Sequence, residues 1–569
     1  MLLRASACSL AHRACKNFHG NVYGTMVMMK NHEIISKAHY SANNASTETT
    51  SNEENIVHKR SGNTTIDFTR VEIYYAPLSS FQLLKTYTAL ASTRFPFVKH
   101  FAPDIIEKGG MIVNQAVKYT YFPYFCGGET LPKTKKVIHD LTQNKKMLCI
   151  LDYSVEGPVQ PLESSAITVD TDEKVEDSIC SVIAESIEYM GQQNRTLSTE
   201  STVTPPCPFG VVKVTGISSC VLLERLSKIL CYIQMFPQSE HAKKLLNTNI
   251  YFFGDISNDV NTFDLMKEYT VKQYPRTVAF DLNENTPPEP LTSVELLKLE
   301  RVVKRLASLC DACVKNGMSL LIDAEQTYYQ AAIDHLYMMM SVKYNSKEYM
   351  AGRNTPVVYN TYQLYLKDSF HRLQFDYHFL NNHGAHHGAK LVRGAYMKSE
   401  TLRANELNLP YPFQQTLLET HVNYVKGVEF CLDSMYKHGN IGIVVASHNQ
   451  DTLGMTSRIM SEIYGFKKND PRVIFAQLYG MGDNLSFALA YHGYNVGKYV
   501  PFGKVHDVMP YLSRRLIENG DVLSGSTIET ARIRSELVRR AVVYSKSIYD
   551  KIVKNIQQRQ QAAAASSSQ

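Results

Sequence analysis

From Met147 onward the chain repeats one unit: a short run of Val, Ile and Leu closed by a polar residue, then a longer stretch with the spacing of an amphipathic helix. The runs are Leu148–Asp152, Val211–Val214, Leu320–Asp323, Val357–Tyr362, Lys390–Arg393, Ile443–His448, Val473–Tyr479 and Lys498–Gly503. Runs apolar on both faces suit strands covered on both sides, and eight strand-then-helix units close most naturally into a parallel (β/α)8 barrel of the TIM type. An open doubly wound sheet ranks second, because no G-x-G-x-x-G turn follows the first run. Ahead of the barrel, Phe81–Leu90 and Lys136–Gln143 have helical patterning and form a lead-in within residues 46–145. The barrel is expected over 146–545. Between the second and third runs the chain is too long for one crossover helix and carries Pro237, Pro275 and the Pro287–Pro290 stretch, which points to a helical insertion over about 221–300. Residues 546–569 form a tail whose end, from Gln557, is low in complexity and is expected to be disordered.

Composition narrows the class. With 44% hydrophobic and 20% charged residues in 569, the chain can bury a large core. A net charge of +6 is small for this length and gives no reason to expect nucleic acid as a partner. Eleven cysteines lack the pairing of a zinc site, and Cys310 and Cys313 share one face of a helical pattern, so they read as reduced and structural. No apolar run approaches the ~18 to 20 residues that span a bilayer, which leaves peripheral attachment as the membrane option. Residues 1–45 open with Arg4, Arg13, Lys16 and Lys30 and no acid before Glu33, the pattern of a mitochondrial transit peptide. Ser41–Asn55 then reads as a flexible joint.

The polar residues closing the runs fall on one rim, where a barrel of this kind builds its active site. That rim collects Lys213, Asp323, Asn360, Lys390, Arg393, His448, Gln477 and Tyr499, with Arg514 and Arg515 in the helix that follows. One charged residue at a strand end is more often a salt-bridge partner than a catalyst. Several cations on one rim need an anion to offset their burial, so an anionic substrate or cofactor is expected.

The strings LIDAEQ, VVYNTYQLYLKDS, KLVRGAY, ASHN, QLYGMGDNLSFAL and YLSRRLIENG, in this order, resemble the proline dehydrogenase (proline oxidase) family in its eukaryotic form. The resemblance covers about Met147 to Ser524. It implies FAD lying across the C-terminal rim with proline upon it, oxidation of L-proline to 1-pyrroline-5-carboxylate by hydride transfer from C5, and electrons passed to ubiquinone at the inner mitochondrial membrane. Carried over residue by residue, it implies Asn360, Lys390, Arg393, Gly394, Ala395, Ser447 and His448 at the cofactor. Asp323 and Lys390 become catalytic, and Lys213, Tyr499, Arg514 and Arg515 bind proline. Lys390 stands where bacterial members carry arginine, and Arg393 where they carry lysine.

Three rivals remain. A metal-dependent barrel hydrolase could draw on His378, His383, His386, His387 and His448, but the first four lie in or just before NNHGAHHG, ahead of the fifth strand and away from the rim. A non-catalytic scaffold would have no use for a rim of paired arginines. A hydroxyproline oxidase on the same fold is opposed by Tyr499, whose phenol would crowd a ring hydroxyl; the resemblance implies a smaller residue there in relatives that oxidise hydroxyproline.

Overall fold

The computed structural model describes residues 66–92, 110–154, 169–200, 207–247, 260–273, 276, 279–520 and 525–566. The expected transit peptide and joint lie outside these. Every apolar run becomes a strand: β1 (Leu148–Tyr153), β2 (Phe209–Val212), β3 (Ser319–Ile322), β4 (Val358–Gln363), β5 (His387–Val392), β6 (Ile441–Ala446), β7 (Val473–Leu478) and β8 (Val496–Phe502). They pair in parallel in the order β1-β8-β7-β6-β5-β4-β3-β2, and the two ends of that order, β1 and β2, lie side by side. The result is the expected eight-stranded barrel, its strands covered outside by the crossover helices.

Alternation along the strands decides which side chains face the barrel axis. Leu148, Ile150, Phe209, Val211, Leu321, Tyr359, Val444, Ile474, Ala476 and Tyr499 form one buried interior cluster. Tyr359 is too large for a filled barrel unless its neighbours are small. Gly388 and Gly442 make that room, since a Cβ on either would come within 2.6 Å of the Tyr359 side chain. This register also fixes the parity of the rim: on β4 the inward positions are Tyr359, Thr361 and Gln363, and Asn360 points outward.

The expected insertion is helical, with Cys220–Met235, Glu240–Asn247 and Val260–Lys272 followed by Ser293–Lys315, which leads into β3. That last helix begins with a capping box: Thr292 Oγ1 accepts from Glu295 N at 3.3 Å, and Thr292 N donates to Glu295 Oε2 at 2.8 Å. The lead-in is also helical, at Ser80–Ser92 and Leu131–His139. The low-complexity tail differs from expectation, for the helix Gly525–Ser566 runs through Gln557. Gln and Ala are strong helix formers, and a helix already nucleated by its packed first turns extends through them cheaply.

Candidate active site

The ends of β1, β2, β3, β5 and β8 converge on one hydrogen-bonded group. Lys213 follows β2 and is buried; its Nζ donates to Asp152 Oδ2 at 3.0 Å, Tyr499 OH at 3.2 Å and Asp323 Oδ2 at 3.3 Å. Across the barrel, Lys390 Nζ of β5 donates to Asp323 Oδ1 at 2.6 Å and lies 4.8 Å from the centre of the Tyr499 ring. The Tyr499 hydroxyl in turn donates to Asp323 Oδ2 at 2.7 Å. Asp323 is therefore the hub. Burial alone would raise its pKa, but Lys390, Lys213 and the Tyr499 hydroxyl hold it down to about 2, so it is a carboxylate at any working pH.

The group is electrically balanced, so the cationic excess expected of the rim does not lie within it. Two ammoniums face two carboxylates, and the second of these, Asp152, is 1% exposed and also receives the Ser154 hydroxyl. Sequence reasoning set Asp152 aside although it closes the first run just as Asp323 closes the third. Its position at an inward strand end was the available signal.

The positive excess lies in the arginines around this group. Arg393, just after β5, is half-buried and donates to His421 Nδ1 at 3.1 Å, Ser447 Oγ at 2.7 Å and Thr452 Oγ1 at 2.9 Å, all neutral acceptors. Its guanidinium carbon lies 4.5 Å from the centre of the Tyr424 ring, and burial lowers its pKa. His448 follows β6; its Nε2 accepts from Leu478 N at 3.0 Å, and burial, with Lys498, Arg515 and Arg393 adding to it, pushes its pKa down to about 3. It is a neutral imidazole with Nε2 unprotonated. Gly394 and Ala395 leave an exposed backbone at the mouth. Gly394 must be glycine, because at φ 157° a Cβ would stand 2.1 Å from the Tyr365 ring.

Arg514 and Arg515 lie on the helix Met509–Gly520, whose Met509, Tyr511 and Leu512 pack on Val117, Phe122 and Phe125 of the lead-in. Arg514 is half-buried with its guanidinium 5.7 Å from the Tyr396 ring beyond β5, while Arg515 is 6% exposed and stacked 4.9 Å from the Tyr511 ring. Several sequence-selected residues face elsewhere. Gln477 points outward to Ser486, and its Nε2 donates to Ser447 O at 3.2 Å. The histidines of NNHGAHHG lead into the start of β5, where His387 is buried against the Tyr337 hydroxyl at 2.9 Å.

Asn360 also faces outward, away from the rim where the cofactor contact is expected. Its amide Nδ2 donates at 2.9 Å to Asp334 Oδ1, behind the barrel wall, in a buried group where Arg276 and Arg372 both bind Asp334 Oδ2. The residue that faces the rim from this strand is Gln363. It is 2% exposed, and its Nε2 donates to Glu325 O at 2.7 Å. Counting parity back from the strand's end would have found it.

The donor set fits a flavin dinucleotide. Arg393 is a half-buried cation with neutral partners, suited to a pyrophosphate, and it stands beside the N-terminus of the helix Gln450–Arg458, capped by Asn449. Inward-facing Gln363 adds a neutral amide of the kind that meets the polar edge of a ring.

Comparison with known proteins adds the chemistry's name. The family model described as "Proline dehydrogenase" matches residues 137–527. "Proline dehydrogenase 1, mitochondrial" of Dictyostelium discoideum is 30% identical over 82% of this chain and 74% of its own length. "Hydroxyproline dehydrogenase" of Xenopus laevis is 36% identical over 44% of this chain and 52% of its own length. Among solved structures, proline utilization A from Bdellovibrio bacteriovorus aligns at 18% identity with a TM-score of 0.49, covering 78% of this chain; the chain spans 37% of that protein's length.

Proposed function

The chain belongs to the proline dehydrogenase family, oxidoreductases acting on proline, and from that premise we propose that it is a mitochondrial flavoenzyme oxidising L-proline to 1-pyrroline-5-carboxylate. The observation that carries the reading is the Lys390–Asp323–Tyr499–Lys213 group at the floor of the rim, with Arg514 and Arg515 on the helix that follows β8. Proline's carboxylate is the anion that the arginines hold. Tyr499 stands against one edge of the substrate ring, which favours an unsubstituted C4. The reaction needs the free amine, because a protonated nitrogen has no lone pair to form the C=N bond. The arginine charges and Lys390 meet that need by disfavouring a second ammonium beside them. Asp323 holds Lys213 and Lys390 in place, so Lys390 offers positive charge where negative charge develops.

FAD, held by Arg393, Gly394, Ala395, Ser447, His448 and, in place of Asn360, Gln363, supplies the hydride acceptor for C5 when bound. The same reading passes the electrons to ubiquinone at the inner mitochondrial membrane, to which the chain attaches peripherally. Among the described residues no helix is long and apolar enough to cross a membrane. The hydroxyproline reading keeps one support, the similarity to the Xenopus protein. Incubation with proline, a soluble dye and an aromatic amino-aldehyde that traps cyclic imines tests the choice. Dye reduction with trapped imine from proline, and far less from 4-hydroxyproline, is expected; the reverse preference would transfer the reading to hydroxyproline.

A further inference from the structure

A surface cavity of about 190 Å³ lies between the starts of two helices and shares no residue with the rim group. Ser219, Val221 and Leu222 line it from the N-terminus of the helix Cys220–Met235, Val294 and Lys298 from the first turns of Ser293–Lys315, and Arg225 stands beside them. The two helix starts differ. Thr292 and Glu295 close the second with their capping box, whereas Ser219 makes no side-chain cap to the first. The two cations differ as well. Arg225 is engaged, its Nε 3.2 Å from Glu295 Oε1 and its Nη2 donating to Pro290 O at 3.0 Å. Lys298 is only 6% exposed, and among the described residues its ammonium has neither a hydrogen bond nor an ion pair. Glu176 of the helix Val169–Glu200 lies within range of that charge, but its carboxylate is taken by Arg305 Nη1 at 2.6 Å.

An ammonium kept from water with no acid against it costs free energy that an anion entering the cavity offsets. We propose that the cavity binds a small organic monocarboxylate. Its carboxylate lies between the Lys298 ammonium and the uncapped start of Cys220–Met235, where free backbone N–H groups and the helix dipole favour negative charge. Its hydrocarbon tail lies against Val221, Leu222 and Val294. Size and walls choose the class. At about 30 Å³ per water-sized group the cavity takes about six non-hydrogen atoms, a carboxylate with a tail of about three carbons. A phosphate would leave the apolar walls uncovered, and its second negative charge would face Glu295 across the cavity.

The test is calorimetric titration of the full chain with sodium butyrate, with sodium phosphate and butylammonium chloride as parallel probes. Butyrate should bind with a Kd on the order of 1 mM, and the other two about tenfold more weakly or worse. Lys298→Met should weaken butyrate about tenfold or more, and Lys298→Arg should recover most of the loss. Val294→Trp fills the cavity from a position that is 50% exposed, so it should block binding in a folded chain that keeps its lysine. Butyrate can also enter the site that receives proline's carboxylate. That component shows as competition with proline in turnover with a soluble dye, and the Lys298 and Val294 variants should leave it unchanged. A wild type that binds no butyrate overturns the proposal, as does butyrate binding that both Lys298→Met and Val294→Trp retain. Phosphate binding as tight as butyrate would make the site one for inorganic anions, and equal binding of butylammonium would make the cavity merely apolar; either result overturns the carboxylate. A wild type that binds butyrate through Lys298 but does not oxidise proline sinks the catalytic reading and leaves this one standing.

Discussion

Lys390 of β5 and Asp323 at the end of β3 meet across the mouth of the barrel at 2.6 Å, and neither is joined to the other by any local sequence relationship. Asp323→Ala removes the hub and leaves the Lys213 and Lys390 ammoniums buried and facing each other. Breaking such a pair from one side costs about 3 to 5 kcal/mol, within what a folded barrel can lose, and turnover should fall below roughly a hundredth of wild type. The contribution also has an acid limit. Its folded pKa of about 2 lies below the ordinary 3.8, so the stabilisation is complete above 3.8 and disappears as pH falls towards 2. Urea titrations of both proteins from neutral pH downward check this, with the mutant's acid loss shallower than the wild type's.

Asn360→Ala and Gln363→Ala should separate cleanly. The first strips Asp334 of a buried donor at 2.9 Å and should cost about 1 to 3 kcal/mol of stability with flavin content unchanged. The second alters the inward end of the same strand and should shift the flavin spectrum or its retention at little cost in stability. If Asn360→Ala lost flavin without losing stability, the outward placement would be wrong.

Glu529 links the helix Gly525–Ser566 to the turn after β7 by accepting from Gly482 N at 2.9 Å and Asp483 N at 2.8 Å. Burial, aided by the Asp483 charge, raises its pKa from 4.5 to about 7. Between those values the folded chain holds a proton that the unfolded chain has released, so stability must fall as pH rises through this window. Glu529→Gln should flatten that slope, read as the urea midpoint against pH. An unchanged slope would show that Glu529 is not the group responsible.

Arg514 and Arg515 diverge by about 100° on their helix, and the structure sets Arg514 near Tyr396 and Arg515 against Tyr511. Each Arg→Met change should lower kcat/KM for proline about 30-fold to 1000-fold, the loss of a desolvated charge-assisted contact of ~2 to 4 kcal/mol. A surface arginine would cost under about 1 kcal/mol. Steady-state kinetics on flavin-replete protein distinguish the two, and losses below about threefold in both mutants would place the carboxylate elsewhere.

The barrel was legible because its strands are buried on both faces and read as apolar runs, so each strand fell within a few residues of its run. The balance of the site was less legible. Asp152 closes the first run without being counted on the rim, and only the fold brings it to 3.0 Å from Lys213. Asn360 was misplaced because a residue's face depends on strand parity, which a one- or three-residue shift reverses, and sequence resemblance does not display it. The Arg276–Asp334–Arg372 group behind β4 was invisible for a different reason. Its members come from three separate helical or loop segments, and their pairing exists only after these have packed.

On the proposed reading the rim holds a flavin which proline reduces. Anaerobic mixing of the purified chain with proline, followed by absorbance, tests it most directly. The visible flavin bands should bleach with proline, and 4-hydroxyproline should bleach them far more slowly unless Tyr499 is replaced by serine. A colourless protein, or flavin bands that proline leaves intact, would rule out a proline-oxidising flavoenzyme.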